Sequence, residues 1–332
     1  MNRFEWTEAT TTAAAIAQMS RTATVKAGGI DLLDRLKEGI DAPARLVNIR
    51  NIRGLDYIRE DSKTGLHIGP LVTLAQLDAH PLLRARYTAL ADAAGKAATP
   101  QIRNVATVGG NLLQRPRCWY FRSEDFHCRK KGGTVCFALE GENQYHAIFG
   151  NRICAIVHPS ATATALVAFG AFVELTGAKG KREVELEKFF ITPEEDITRE
   201  NSIGEKELVT NIRVPLQPSA ARSAYLKQGE KESFDWPIAD VAVRLDCKAQ
   251  TCTSARIVLG AAAPVPLRAV GAEAVLQGKT VNEDAARAAA RAAVKDATPL
   301  SQNGYKVPVF EALVRRAIVQ AAAVASPTRG DD

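Results

Sequence analysis

Four of the six cysteines crowd into one stretch: Cys118, Cys128, Cys136 and Cys154 are separated by 9, 7 and 17 residues. Four thiolates are the usual complement of an iron–sulfur cluster or a structural zinc. The tight pairs that zinc sites use, two ligands from one turn, are missing here. Widely spaced thiolates on a folded loop suit a cubane, whose corners diverge. On spacing alone a cluster, a zinc ion and four unliganded thiols stand about level. Arg115, Arg117, Arg122, Arg129, Lys130 and Lys131 share the segment with only Glu124 and Asp125. Such positive charge offsets that of a thiolate-held cluster and lowers thiol pKa values. His127 and His146 are spare ligands in principle, but loop and core histidines is the plainer reading. Cys247 and Cys252 bracket the turn of an expected hairpin and read as structural.

Two glycine turns could do a different kind of chemistry. KAGGIDLL, residues 26–33, follows a strand and opens a helix. ATVGGNL, residues 106–112, repeats the pattern about 80 residues on. Main-chain N–H groups at such turns can hold phosphate, and glycine lets a ligand approach closely. Neither turn is specific alone; together they could clamp one pyrophosphate. No Ser/His/Asp arrangement or paired catalytic carboxylates stand out.

The elements that must position these groups follow from periodicity. Glu8–Met19 reads as a helix with Thr7 as N-cap, Thr22–Ala27 as a strand, Leu32 to Leu36 as a helix and Leu46–Ile49 as a strand. Leu66 and Ile68 alternate in a strand. Leu83, Tyr87, Leu90 and Ala94 mark one face of a single helix. Residues 115–155 have no sustained period, and so long a loop is usually functional or disordered. His158–Val173 reads as a helix entering a strand, and Val184–Phe190 and Leu208–Val214 as strands. Ile238–Leu245 and Ala255–Leu259 form a hairpin, followed by helices over 282–297 and 309–325.

Composition bounds the rest. The 332 residues are 46% hydrophobic and 24% charged, an ordinary globular balance with room for two or three domains. A net charge of +6 is mild, and 6% aromatics with no basic stripe argue against nucleic acid. No apolar run is long enough to span a membrane, and the N-terminus is not a secretory signal. The expectation is a cytoplasmic chain, unless a signal-bearing partner subunit co-exports it to the periplasm.

Beyond these local readings, six stretches in order resemble one family. They are KAGGIDLL, LVTLAQL (71–77), TPQIRNVATVGGNL (99–112), ELVTNIRVP (207–215), YLKQGEKESFDWPIADVAVRL (225–245) and IVLGAAAPVPLRA (257–269). They cover nearly the whole chain. The sequence is similar to the medium, FAD-binding subunits of the molybdenum hydroxylases, the xanthine dehydrogenase and carbon monoxide dehydrogenase group. The cysteine insertion resembles the variant with an extra [4Fe-4S] cluster, closest to the periplasmic aldehyde oxidoreductase type.

The resemblance implies an α+β fold. It comprises an FAD-binding domain of two α/β lobes, like vanillyl-alcohol oxidase, with an inserted cysteine-rich cluster loop, plus a C-terminal α/β sandwich domain. The expected division is lobe 1 at 1–55, lobe 2 at 56–218 with the cluster loop at 115–155, and the C-terminal domain at 222–327. Lys26, Ala27, Gly28, Gly29, Ile30, Asp31, Leu32 and Leu33 would wrap the FAD pyrophosphate. Thr107, Gly109, Gly110 and Asn111 would form the second clamp. Ala97, Leu208 and Lys227 match flavin contacts, and Trp236 could cap the ring. Cys118, Cys128, Cys136 and Cys154 would ligate the cluster. Ile30 stands where relatives have Thr, and Ala161 where they have Asp, so Ser160 or Thr162 would have to substitute for that carboxylate.

The implied function is electron transfer within a heterotrimeric molybdenum aldehyde oxidoreductase. A large molybdenum-cofactor subunit oxidises the substrate, a small subunit carries [2Fe-2S] clusters, and this chain passes electrons to an external acceptor. Two alternatives remain at this stage: a flavin subunit of hydroxybenzoyl-CoA-reductase type, and a non-catalytic zinc-bound scaffold without flavin.

Overall fold

The computed structural model describes residues 1–219, 221–231 and 234–323. The expected helix end at Ala325 and segment end at 327 lie outside them. Three sheets organise the described residues. The first is parallel, in the order β1-β3-β2, from β1 (Glu5–Glu8), β2 (Ala23–Lys26) and β3 (Arg45–Asn48). Helices Thr12–Gln18 and Ile30–Lys37 make its connections.

The expected helix from Glu8 is corrected here. Residues 5–8 pair with β3, and Asn48 Nδ2 donates to the Glu8 carboxylate at 2.8 and 3.0 Å. Pairing satisfies main-chain groups that a helix start would leave open. The helix begins four residues later, where Thr11, not Thr7, accepts from the Ala14 amide at 3.1 Å.

The second sheet is antiparallel throughout, in the order β4-β5-β8-β6-β7. Its strands are β4 (Ile58–Asp61), β5 (Gly65–Ile68), β6 (Phe172–Gly177), β7 (Gly180–Glu185) and β8 (Glu207–Val214). The strand expected to reach Phe190 stops at Glu185, and Leu186–Phe189 turns into a helix. Leu186 and Phe189 are both fully buried. Three residues apart, they share a face in a helix and would oppose each other in a strand.

The single helix expected through Leu83 and Ala94 is two, Pro81–Arg86 and Thr88–Gly95, broken at Tyr87. Tyr87 has φ −127° there, and its hydroxyl donates to Glu60 at 3.0 Å. All four periodic residues are nonetheless buried.

The third sheet runs β12-β11-β10-β9, from β9 (Ala221–Gln228), β10 (Ala239–Lys248), β11 (Thr251–Gly260) and β12 (Leu267–Arg268). Its two faces are sorted by strand period. Val241, Val243, Leu245, Ile257 and Leu259 pack with the helices Val270–Leu276, Glu283–Val294 and Lys306–Ala323. Tyr225, Ala242 and Val258 join the core under Thr88–Gly95 and Ala161–Ala168. The helix Val270–Leu276 was not foreseen.

Cys247 and Cys252 are register partners at the hairpin end, both as free thiols. The cysteine-rich segment is irregular, as expected, and docks on the third sheet's helices. The buried Lys306 ammonium donates to the carbonyls of His146 at 2.9 Å and Ala261 at 2.7 Å. No helix among the described residues is long and apolar enough to cross a membrane.

Candidate functional site

A cleft of about 620 Å³ opens where the first sheet, the second-sheet helices and β9 converge. That is the size of a cofactor pocket. One wall is the turn after β2. Gly29 is in the left-handed region, φ +83°, and caps the helix Ile30–Lys37. The amides of Ile30, Asp31 and Leu32 lie in the first helical turn, where no intrahelical acceptor exists, and all three residues line the cleft.

The facing wall is the second glycine turn. Thr107 caps it by accepting from the Gly110 amide at 3.2 Å. The Gly109 amide donates to Pro70 at 2.9 Å, and a Cβ on Gly109 would lie 2.8 Å from Pro70 Cβ. A Cβ on Gly110 would meet nothing nearer than Thr107 Oγ1 at 3.1 Å, so it would occupy the cleft side of the turn. The first turn thus presents open amides to the cleft, while at the second the Val108, Gly109, Gly110 and Asn111 amides are taken within the protein and bare glycine leaves room for close approach. Open amides at a helix start, facing a turn without side chains, suit the diphosphate of a dinucleotide.

Of the expected contacts, Lys26 to Leu32, Ala97, Thr107, Gly109, Gly110, Asn111, Leu208, Lys227 and Trp236 line the cleft. Leu33 lies outside it and is exposed, since the helix turns it outward. Ser160 is also outside. It is buried, caps the helix Ala161–Ala168, and donates to Asn111 Oδ1 at 2.7 Å. Thr162 donates to the same oxygen at 2.5 Å. The two hydroxyls thus orient Asn111, while Ala161 lines the cleft.

Burial lowers the pKa of Lys227, whose ammonium reaches Lys96 O at 3.1 Å. Lys26 is lowered by burial and by Arg50, and stands 5.3 Å from the Trp6 ring.

Three of the lining residues that sequence reasoning missed are informative. Tyr225 lies two before Lys227 on β9, hence on the same face, so its signal was present in the period. Ala98 holds φ +48°, which no residue type announces. Arg117 was counted only as loop charge, yet it lines the cleft with its guanidinium 4.5 Å from the Trp236 ring.

The second site is a small apolar cavity lined by Cys118, Cys128, Cys136 and Cys154, with Tyr120, Phe121, Phe137 and His146. Three of the cysteines stand at the start of a single helical turn: Trp119–Arg122, Arg129–Lys131 and Phe137–Leu139. Main-chain amides of Tyr120 and Phe121 reach Cys118, those of Ala138, Leu139 and Ala155 reach Cys136, and that of Ile156 reaches Cys154. The Cys154 thiol donates to Cys136, which holds Cys136 down to about 6 and pushes Cys154 up. Burial pushes Cys118 up to about 12. Burial lowers His146 to about 4, so it is a neutral imidazole, 3.2 Å from Cys118 Sγ.

No group of three or more His, Cys, Asp or Glu among the described residues is arranged to hold a single metal ion. Four thiols ringing one cavity, met by amide donors, fit a cluster that takes one thiolate per iron.

The loop's positive charge is used differently from expectation. Arg115, Arg117 and Arg122 turn to Asp31, Glu38 and Glu200, and the buried Lys130 pairs with Glu200 at 2.8 Å. They fasten the segment to its surroundings; only Arg129 and Lys130 line the cysteine cavity.

Comparison with known proteins gives two family matches. Residues 2–217 match the FAD binding domain in molybdopterin dehydrogenase, and residues 224–321 match the CO dehydrogenase flavoprotein C-terminal domain. The chain is 33% identical to the aldehyde oxidoreductase FAD-binding subunit PaoB of Escherichia coli K12, over 98% of this chain and 100% of the relative. It is 29% identical to the carbon monoxide dehydrogenase medium chain of Hydrogenophaga pseudoflava, over 92% of this chain and 91% of the relative. Among solved structures, the carbon monoxide dehydrogenase of the latter organism superposes with a TM-score of 0.75 at 30% identity, covering 97% of each chain.

Proposed function

The chain belongs to the FAD-binding medium subunits of the xanthine dehydrogenase and CO dehydrogenase family, and we propose that within it the protein is the FAD- and [4Fe-4S]-carrying electron-transfer subunit of a molybdenum aldehyde oxidoreductase. Membership makes it an FAD-binding subunit of a molybdenum-containing oxidoreductase complex, and a flavin-free zinc scaffold does not survive it. The finer reading is carried by one observation: four cysteines from a loop with no other regular purpose ring one cavity. Similarity to the aldehyde oxidoreductase subunit over its whole length supports the substrate class.

In this reading the domains divide at 1–55, 56–218 and 222–327. The turn from Lys26 to Leu32 holds the diphosphate by main-chain amides, and the turn from Thr107 to Asn111 lets it approach closely across bare glycine. Asn111 is oriented by Ser160 and Thr162. Ala97, Leu208, Tyr225 and Lys227 shape the inner end, and Trp236 covers the mouth. Cys118, Cys128, Cys136 and Cys154 hold the cluster, with amides directed at their sulfurs. When bound, the flavin and the cluster supply electron storage and relay; the side chains bind, orient and exclude water. The partners are a large molybdenum-cofactor subunit and a small [2Fe-2S] subunit, with an external acceptor, and the partners set the compartment.

Purification with the co-expressed partner subunits tests this reading. The expected result is flavin reduction by aromatic or aliphatic aldehydes in protein carrying molybdenum, iron and FAD. Reduction by thioesters but not aldehydes would replace the substrate class.

A further inference from the structure

Arg117 stands immediately before Cys118 and yet lines the cleft. Its guanidinium bonds Asp31 Oδ1 and lies over the Trp236 ring, 4.5 Å from its centroid. Asp31 belongs to the first turn of the helix Ile30–Lys37, the turn whose amides face the cleft. The same carboxylate takes Arg122 Nη2 at 2.6 Å and the Arg115 amide at 3.1 Å, with Arg35 Nε at 3.4 Å. Residues on both sides of Cys118 thus hang from one carboxylate of the cleft wall. Arg122 also closes the helical turn that Cys118 begins, its amide donating to Cys118 O at 2.9 Å.

These groups are largely buried, where charge pairs act more strongly than in water. Burial raises the Asp31 pKa, but Arg117, Arg35 and Arg122 together outweigh it and hold the carboxyl below its ordinary value. The carboxylate is therefore a fixed anchor.

We propose that Asp31 and Arg117 join the dinucleotide cleft to the four-cysteine cavity, so that filling either site tightens the other. The inference rests on the reading that FAD and a cluster fill these two spaces. A ligand that orders the turn after β2 fixes the Asp31 carboxylate, and with it the segment that presents Cys118. Ligation at Cys118 in turn fixes Arg117 and Arg122, which hold the turn and the mouth residue Trp236. Such coupling is reciprocal by thermodynamic necessity. Asp31 and Arg117 are positioning residues in this role.

The test titrates FAD, by quenching of its fluorescence, into deflavinated full-length protein in iron-loaded and iron-free forms. The iron-free form is the Cys154→Ser variant, because Cys154 touches neither Asp31 nor Arg117. Wild-type iron loading should tighten FAD binding about tenfold, a common size for such coupling. In Asp31→Asn and in Arg117→Gln that iron dependence should vanish. Glu38→Gln, which removes a contact of Arg122 remote from the cleft, should keep it. Thermal unfolding of each variant separates lost coupling from lost fold, and Arg117→Gln serves if Asp31→Asn does not fold. FAD binding of equal strength with and without iron in the wild type overturns the coupling alone. Wild-type protein that takes up no iron overturns the reading of the cysteine cavity, and the coupling with it.

Discussion

A Cβ built on Gly28 would lie 2.2 Å from the carbonyl oxygen of Val105. The first glycine turn is thus packed main chain to main chain against the approach to the second. Gly28→Ala must push the two turns apart. We expect it to cost about 2–4 kcal/mol, in the range of overpacking with backbone shift, and to lose FAD. Gly110→Ala should weaken FAD binding at a smaller cost in stability, because beyond a 3.1 Å approach to Thr107 Oγ1 its Cβ meets no other atom. Melting temperature and retained flavin, measured on both variants, check the contrast.

Cys118→Ser, Cys128→Ser or Cys136→Ser should each remove the cluster's iron, about four atoms per chain. Cys247→Ser should leave it, because Cys247 sits at the far hairpin end opposite Cys252. Iron quantitation on protein prepared without oxygen distinguishes them.

Asp240 is fully buried on β10, faced by Thr164, Tyr225, Lys227 and Lys306, and burial raises its pKa from 3.8 to about 7. Its Oδ1 and the Tyr225 hydroxyl are both buried without a partner in hydrogen-bond geometry. Between pH 4 and 7 the folded chain keeps a proton that the unfolded chain releases. The contribution is complete below pH 4 and is lost as pH rises to 7, by an amount on the order of 4 kcal/mol. Asp240→Asn abolishes this slope. Unfolding free energies from pH 4 to 8 should therefore show the variant gaining on the wild type as pH rises through that window.

Lys306 ties residues 145 and 146 of the cysteine segment to Ala261. Lys306→Met leaves the Ala261 carbonyl without its ammonium donor and the His146 carbonyl with Asn303 Nδ2 alone, at a cost of about 1–3 kcal/mol. Urea unfolding measures it, and loss of iron before loss of fold would show that the cysteine segment loosens first.

Much of the fold was legible because strands announce themselves by alternation. Val241, Val243 and Leu245, with Ile257 and Leu259, sort onto one face, and Ala242 and Val258 onto the other. The breaks were not legible. Leu83, Tyr87, Leu90 and Ala94 keep a helical period across a break that no glycine or proline marks. Residues 184–190 carry a strand-like composition through a point where burial of Leu186 and Phe189 selects a helix. The glycine turns and the cysteines were visible as types. Their joining was not, because Asp31 and Arg117 lie 86 positions apart and look like ordinary surface charges.

The direct test of the central claim is simultaneous flavin and iron quantitation on the full-length chain, purified without oxygen, beside its Cys136→Ser variant. The account predicts one FAD and about four irons per wild-type chain, with the iron absent from the variant. A flavin-bearing wild type that holds zinc, or no metal at all, would contradict it.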